Sequence, residues 1–360
     1  MDLQTAPSYF LAASAPSGFC SHFPAMYDPD SDWRCVILKG GPGSGKSTLM
    51  KKAAQQALAD GDAVELIYCS SDPRSLDGVI LPEHHRCMAD GTAPHILEAR
   101  CPGACERIFD PGECWNHRML YDHRNEIRAL GRQIDECHRR AGHLRTAAAA
   151  LQADARSRMA VALDREKLEN YCRRLCRRHF PGGVRPGGRV IPRFLSGITP
   201  DGWITFGHTL TACARHIVLI ADDTGLAAPE ILSALRDSAA AHGETVICCG
   251  DPLRPETPDA LLLPQRQEAF ALTDRFRRFA FAPDRTVHTR RFFDPVRRAE
   301  VRSTVRQRQK EAAALLNEAV RALAEARALH DRLEAYYMAA TDYHKLNEKS
   351  NALLQVWRTE

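Results

Sequence analysis

Residues 40–48 of the chain read Gly40-Gly41-Pro42-Gly43-Ser44-Gly45-Lys46-Ser47-Thr48. The stretch fits the pattern G-x-x-x-x-G-K-[ST], in which glycines let consecutive backbone N–H groups turn inward around phosphate oxygens. Residues 35–38 before it predict a short buried strand, and residues 49–58 after it predict a helix, whose N-terminus adds positive potential beside the loop. This order of strand, glycine-rich loop and helix predicts an α/β fold that binds a nucleoside triphosphate through the residues of the motif.

Two side chains of the motif have distinct expected roles. Lys46 would reach the β- and γ-phosphates as a catalytic charge, and the hydroxyl of Ser47 would bind Mg²⁺. The [NT]-K-x-D pattern with which GTPases recognise guanine does not occur at a predicted strand end. The expected ligands are therefore ATP and Mg²⁺.

A magnesium site of this kind also needs an acidic side chain at the end of a buried strand beside the loop. Residues 86–90 predict such a strand, and Asp90 at its end is the predicted second Mg²⁺ ligand and a catalytic residue. The alternative is an aspartate that only begins a turn with Gly91. Asp72 is a second candidate, which would orient the attacking water, although an Asp-Pro turn is the simpler interpretation there.

Composition limits the class of protein. A length of 360 residues with 44% hydrophobic residues suits two domains with cores of their own. Residues 1–17 lack the basic start and apolar run of a secretory signal, and no segment approaches the ~20 apolar residues of a membrane span. We therefore expect a cytoplasmic protein with no membrane partner and with its 13 cysteines reduced. The spacing of Cys101, Cys105, Cys114 and His117 does not match the usual zinc patterns.

The sequence contains an internal repeat. Segments of the first part recur in the second part in the same order: residues 9–19 match 193–203, residues 34–38 match 215–219, residues 66–73 match 246–252, and residues 79–82 match 261–264. A stretch rich in glycine and proline separates the copies. The repeat predicts a nucleotide-binding domain with a helical insertion at residues 1–180, a linker at residues 181–192, and a degenerate P-loop-like domain with C-terminal helices at residues 193–360.

The second copy has lost the phosphate-binding residues. Residues 221–229 read ADDTGLAAP, with no lysine and no hydroxyl at the magnesium position. Asp222 and Asp223 would repel phosphate. We therefore expect the second domain to bind no triphosphate and to have a structural or regulatory role.

Apolar residues recur every three or four positions over residues 127–151 and 316–336, which predicts two long helices. We favour helical hairpins that pack within each copy. The alternatives are a dimerisation arm or a lid over the nucleotide.

Residues 273–309 are rich in arginine and are interleaved with phenylalanines. Such a composition can hold single-stranded nucleic acid. Acidic residues dilute the positive charge here, and an exposed arginine-rich face over core phenylalanines is the favoured interpretation.

Three stretches carry a resemblance to a known family: residues 38–52, which contain the motif, residues 69–80, and residues 90–95. Over nearly its whole length the chain resembles a poorly characterised bacterial group of tandem P-loop ATPase-like proteins, with two P-loop-type repeats that each carry a helical insertion. The resemblance implies a P-loop fold, nucleotide binding and ATPase activity, and it implies roles for Asp90 and His95. In that group both halves look like P-loop domains, whereas here only the first half keeps the motif.

These observations predict an α/β protein of two P-loop NTPase-like domains, each with a parallel sheet and a long helical hairpin insertion. The predicted function is Mg²⁺-dependent ATP binding and hydrolysis by the first domain. One alternative is a kinase that phosphorylates a small-molecule or nucleoside acceptor. The other is a module that binds nucleic acid or a protein through the basic second half.

Overall fold

The computed structural model describes residues 3–357, and each half of the chain forms a six-stranded sheet and a small two-stranded one. The strands of the first half are β1 (Ser8–Tyr9), β2 (Ala12–Ala15), β3 (Gly18–Ser21), β4 (Arg34–Leu38), β5 (Glu65–Tyr68), β6 (Leu76–Leu81), β7 (Arg86–Asp90) and β8 (Glu106–Phe109). Those of the second half are β9 (Arg189–Arg193), β10 (Ser196–Thr199), β11 (Gly202–Thr205), β12 (His216–Ala221), β13 (Thr245–Asp251), β14 (Arg254–Leu263), β15 (Glu268–Thr273) and β16 (Arg285–His288). The large sheets have the orders β1-β5-β6-β7-β4-β8 and β9-β13-β14-β15-β12-β16, so both halves have the same topology.

The helices connect and cover these sheets. They are α1 (Lys46–Ala59), α2 (His117–Asp122), α3 (Arg124–Ala160), α4 (Arg165–His179), α5 (Gly207–Cys213), α6 (Ala227–Ala241), α7 (Pro295–Ala339) and α8 (Tyr343–Trp357). α1 follows β4 and α6 follows β12, so the order of strand, loop and helix occurs in both halves. Within residues 3–357, no helix combines the length and apolarity needed to cross a membrane.

Both large sheets are mixed rather than parallel. β6 runs antiparallel to β5 and β7, and β14 runs antiparallel to β13 and β15, while the remaining pairs are parallel. The α/β class is confirmed, but the prediction of parallel sheets is wrong. The connections at residues 82–85 and 264–267 are the reason, because parallel neighbours need a crossover of about a dozen residues or more. Each short connection makes its two strands a hairpin.

The two large sheets face each other across one shared core. The inward side chains on this interface are often small, as at Cys35, Ala89, Ala260 and Ala271. The outer face of the first sheet is covered by α1 and α8, and the outer face of the second sheet is covered by α6 and α4. α8 belongs to the second half of the sequence and α4 to the first. Each half therefore provides a helix that covers the sheet of the other half.

α3 and α7 connect the two halves. α3 has 37 residues and α7 has 45, and the two helices pack along each other. Alanines allow close approach in the seam, with Ala141 and Ala148 in contact with the stretch of α7 that contains Ala312 and Ala319. The prediction of helical hairpins within each copy is wrong, because each small-residue stripe packs against the stripe of the other copy.

Two equivalent joints fix the ends of these long helices. The N–H of Asn116 donates to the carbonyl of Ala340 (2.7 Å), and the N–H of Asp294 donates to the carbonyl of Ala162 (2.8 Å). Each helix therefore begins beside the sheet of its own half and ends beside the sheet of the other half. The pair is antiparallel, and the end of α7 reaches the glycine-rich loop of the first half.

We predict that one proteolytic cut within the exposed residues 182–184 leaves the two halves associated. The shared core and the exchanged helices α4 and α8 bury apolar surface that neither fragment can cover alone. A chain with an inserted protease site should elute at the same volume before and after cleavage in native buffer, and its fragments should separate in denaturant. Separation of the cut fragments in native buffer would show that the halves fold independently.

Candidate functional site

The glycine-rich loop, residues 39–45, lies between the end of β4 and the start of α1. β7 and β8 flank β4 in parallel, so the loop stands at the edge where the carboxyl ends of three strands meet. Gly43 and Gly45 have φ angles of 65° and 81°, in the left-handed region that favours glycine. Within residues 3–357, no side chain caps the N-terminus of α1. The first backbone N–H groups of the helix are thus left as donors of the kind that can bind an anion.

Lys46 is folded back onto this loop. Its Nζ donates to the carbonyl oxygens of Gly40 (2.5 Å) and Gly41 (2.9 Å), and it lies 3.6 Å from Oδ2 of Asp90. The structure thus brings together the two side chains for which the sequence predicts a catalytic role. The hydroxyl of Ser47 accepts a hydrogen bond from the N–H of Leu76 (3.0 Å), at the start of β6.

Asp90 ends β7 opposite Leu38, the last residue of β4. Its Oδ1 accepts hydrogen bonds from the N–H of Thr92 (2.9 Å) and from the Thr92 hydroxyl. Burial raises the pKa of Asp90 above its usual range, and Lys46 offsets part of this rise. The aspartate therefore both shapes the turn and places a carboxylate next to Lys46. Asp72, by contrast, accepts from Arg74 (2.9 Å) and Ser75 (2.7 Å) within its own turn.

A buried pair that sequence reasoning missed in part lies close to Asp90. Oδ2 of Asp77 is 3.2 Å from Nε2 of His95, and each side chain is 9% exposed. The Nδ1 of His95 has no hydrogen-bond partner among the described residues, and the ring stacks on Phe23 at 4.5 Å. Only the family resemblance indicated His95. The signal for Asp77 is a carboxylate inside the apolar run of β6.

The end of α7 covers the glycine-rich loop. Oε1 of Glu334 accepts a hydrogen bond from the N–H of Gly43 (3.2 Å). A Cβ built on Gly43 would lie 3.1 Å from the carbonyl oxygen of Glu334, and one on Gly41 would lie 3.3 Å from both Trp115 and Tyr337. The carboxylate of Glu334, on α7 of the second half, therefore accepts a hydrogen bond from one of the N–H groups that we expect to bind phosphate.

The equivalent loop of the second half holds its own carboxylate. Asp222 is 2% exposed and accepts from the N–H groups of Thr224 (3.0 Å), Gly225 (3.0 Å), Ala227 (2.8 Å) and Ala228 (2.9 Å). Gly225 has a φ of 64°, nearly the same as that of Gly43. The second loop thus keeps the backbone turn, and Asp222 takes the position of the anion.

Most arginines of residues 273–309 are exposed at the surface, and Arg277 is the buried exception. Arg277 is buried and contacts Asp251 (2.5 Å), Asp259 (2.9 Å) and Asp274 (2.7 Å). Burial raises the pKa of Asp259 to about 7, although Arg277 lowers it in part. Several phenylalanines of this segment pack in or against the cores: Phe276, Phe279, Phe281, Phe292 and Phe293.

All thirteen cysteines are free thiols. Within the described part of the chain, one group of three side chains lies close enough together to hold a metal ion, namely His330, Asp331 and Glu334. Cys101, Cys105, Cys114 and His117 form no such group.

Comparison with known proteins gives no match to any protein-family model, curated protein or solved structure. The resemblance to tandem P-loop ATPase-like proteins therefore stays a prediction.

We predict opposite effects on stability from Asp90→Asn and Asp72→Asn in the unliganded protein. Because the pKa of Asp90 is raised by burial, ionisation at neutral pH costs folding stability, and the cost fades as the pH falls through the folded-state pKa. Asp90→Asn should thus stabilise the protein at pH 7, with a smaller gain at lower pH.

Asp72 is the matched control. Burial raises the pKa of Asp72, but hydrogen bonds from Ser75 and Arg74 outweigh this effect, so the pKa is lowered overall. Asp72→Asn should destabilise the protein at neutral pH, and the loss should shrink as the pH falls through the folded-state pKa. Denaturant unfolding over a pH series measures both effects. A loss of stability at pH 7 in Asp90→Asn would contradict our assignment of a burial-dominated carboxylate.

Proposed function

We propose that the protein binds ATP with Mg²⁺ at the glycine-rich loop of the first half and hydrolyses it there, while the second half has a structural or regulatory role. The observation that carries the proposal is the convergence of Lys46, Ser47 and Asp90 at an uncapped helix N-terminus. The equivalent loop of the second half is filled by Asp222, which supports a single nucleotide site per chain.

The donor atoms at this site fit a hard divalent cation. The Ser47 hydroxyl and the Asp90 carboxylate are oxygen donors of the kind that Mg²⁺ prefers. Asp90 is buried beside a cation and has a raised pKa, which a second positive charge would reverse. When bound, Mg²⁺ would supply charge that stabilises the phosphate oxygens.

The chain's own residues would bind and orient the triphosphate. The N–H groups of the loop and of the first turn of α1 donate to phosphate oxygens. The Lys46 ammonium leaves the carbonyl oxygens of Gly40 and Gly41 and donates to phosphate oxygens instead. Because the ammonium already lies within this loop, it needs only a change of rotamer. Lys46 would then stabilise the charge that develops during phosphoryl transfer.

The Asp77–His95 pair, whose carboxylate lies close enough to Asp90 to raise the pKa of Asp90, supplies the proton acceptor in this proposal. Asp77 precedes Gly78, which pairs with Ala89, and in the second half Asp259 precedes Ala260, which pairs with Ala271. In each copy, the residue that contacts this aspartate lies six positions after the paired alanine: His95 follows Ala89, and Arg277 follows Ala271. A neutral histidine can accept a proton, whereas an arginine cannot. We propose His95, held by Asp77, as the base for the attacking water.

Glu334 is an internal competitor for the triphosphate. Its carboxylate accepts from the N–H of Gly43, where a phosphate oxygen would bind. Nucleotide binding must therefore displace this side chain. Since Glu334 lies on α7, the displacement couples the site to the helix that links both halves.

We predict that the wild-type chain binds one ATP and that Lys46→Ala weakens binding by at least about 100-fold, since a charge-assisted contact is lost. Calorimetric titration with Mg-ATP measures both quantities. Lys51→Ala is the control, because Lys51 lies further along α1 and donates to the carbonyl of Arg74 (2.6 Å). Two ATP molecules per chain, or unchanged binding in a folded Lys46→Ala variant, would disprove the single-site assignment.

Release of inorganic phosphate from ATP in the absence of any acceptor molecule distinguishes hydrolysis from kinase activity.

We also predict that Asp90→Asn, which keeps the loop intact, lowers the rate of Mg²⁺-dependent ATP turnover far more than it lowers the affinity for the nucleotide.

The last prediction on this site concerns Glu334. Glu334→Gln keeps the shape of the side chain but removes its charge, so the affinity for Mg-ATP should rise roughly three- to tenfold. Glu325→Gln is the control on the same helix, since Glu325 pairs with Arg140 on the exposed surface. Equal affinities for wild type and Glu334→Gln would show that the carboxylate does not compete with phosphate.

A further inference from the structure

A separate polar cavity lies where the two halves meet the long helix α3. Its walls come from β2, from β10, from the turn after β5, and from facing positions of α3 and α7. The polar side chains that line it are Ser14, Ser70, Ser71, His138 and Arg145. None of these belongs to the nucleotide site described above.

Arg145 is a buried cation without a carboxylate partner. The residue is 6% exposed, and its Nε has no hydrogen-bond partner in the described part of the chain. Within residues 3–357, no carboxylate oxygen lies within 4.0 Å of the guanidinium nitrogens. Burial alone lowers the pKa of Arg145 to about 10, so the group remains charged at neutral pH. A charge buried without a partner is costly, and natural proteins seldom keep one.

The other polar residues that line the cavity, Ser14, Ser70, Ser71 and His138, carry hydrogen-bond donors and no carboxylate. Burial lowers the pKa of His138, and Arg145 lowers it further, whereas Asp135 raises it in part. Ser70 and Ser71 follow β5 and line the same cavity as Arg145. A guanidinium together with serine hydroxyls is a donor set with which proteins bind small anions.

The position opposite Arg145 is not basic. Because Ala162 and Ala340 make equivalent joints, Arg145 of α3 corresponds to Leu323 of α7, and both line this cavity. The fold therefore does not require an arginine at this position for packing.

We propose that this cavity binds a small inorganic anion through the Arg145 guanidinium and the hydroxyls of Ser70 and Ser71. The ligand class is defined by charge and size: phosphate, sulfate or chloride. The turn that carries the serines continues to Leu76, whose N–H donates to Ser47. An anion here would thus order the segment that reaches the magnesium position of the proposed nucleotide site.

Thermal unfolding in different anions tests this proposal without any nucleotide. The experiment uses the full chain with Lys46→Ala, because the glycine-rich loop can itself bind phosphate. Potassium phosphate, sulfate and chloride are compared at constant ionic strength with gluconate, which is too large for the cavity. At least one of the small anions should raise Tm in a concentration-dependent way, by about 2 °C near saturation.

Arg145→Gln in the same background should abolish this rise, and it should also be more stable than its parent in gluconate, since the bare buried charge is gone. Arg139→Gln is the matched control, because Arg139 lies exposed on α3 and pairs with Glu136. Arg145→Lys replaces this test if Arg145→Gln fails to fold. It keeps the charge in a different shape, so its anion-dependent rise in Tm should be smaller than that of its parent. No difference among the anions, or an equal rise in Arg145→Gln or in Arg145→Lys, would overturn the proposal.

Discussion

Each large sheet of this protein has one face that only the other half can cover. The residues on these faces are often small, so the two sheets approach closely and share one core. The outer faces are covered by helices, one of which in each case comes from the other half. An exchange of this kind requires a long connection in both directions, which α3 and α7 provide. Their antiparallel pairing is thus a consequence of how the sheets are covered.

The same constraint assembles the candidate site from distant parts of the sequence. Because α7 must deliver α8 to the outer face of the first sheet, its last turns pass over the glycine-rich loop. Trp115 and Tyr337 cover Gly41, and Glu334 reaches Gly43. The loop is therefore not an independent element on one domain. Any movement of the end of α7 changes the exposed surface of this loop.

Both loops show that a turn of inward N–H groups attracts a negative partner. In the second half the partner is Asp222, a member of the loop itself, with four backbone donors. In the first half the partner is Glu334, held by one backbone donor on another element. The position of α3 that corresponds to Glu334 is Arg156, which lines a cavity with Gly225. The long helices thus present a carboxylate to the open loop and a cation beside the filled one.

Sequence patterns predicted what depends on neighbours along the chain. The strand, glycine-rich loop and helix at residues 35–58 are local, and so is the placement of Asp90 at a strand end. Pairings between distant segments were not predictable in this way. The small-residue stripes of α3 and α7 predict helices with a packing face but do not say which helix each will meet. Glu334 is separated from Gly43 by 291 positions, and no pattern near either residue indicates the contact.

The two halves share one topology, which makes the differences at their equivalent positions informative. Where the first half has the Asp77–His95 pair, the second has Arg277 held by three carboxylates. Where the first half leaves its loop to a distant carboxylate, the second closes it with Asp222. Both arrangements of the second half pair a buried charged group with partners from the same half. The first half instead keeps Lys46, Asp90 and His95 with fewer ionic and hydrogen-bond partners, although the same backbone could have held the arrangement of the second half. Burying charged groups with few partners costs folding stability. Packing alone therefore does not explain why these residues occur in one copy of the repeat only.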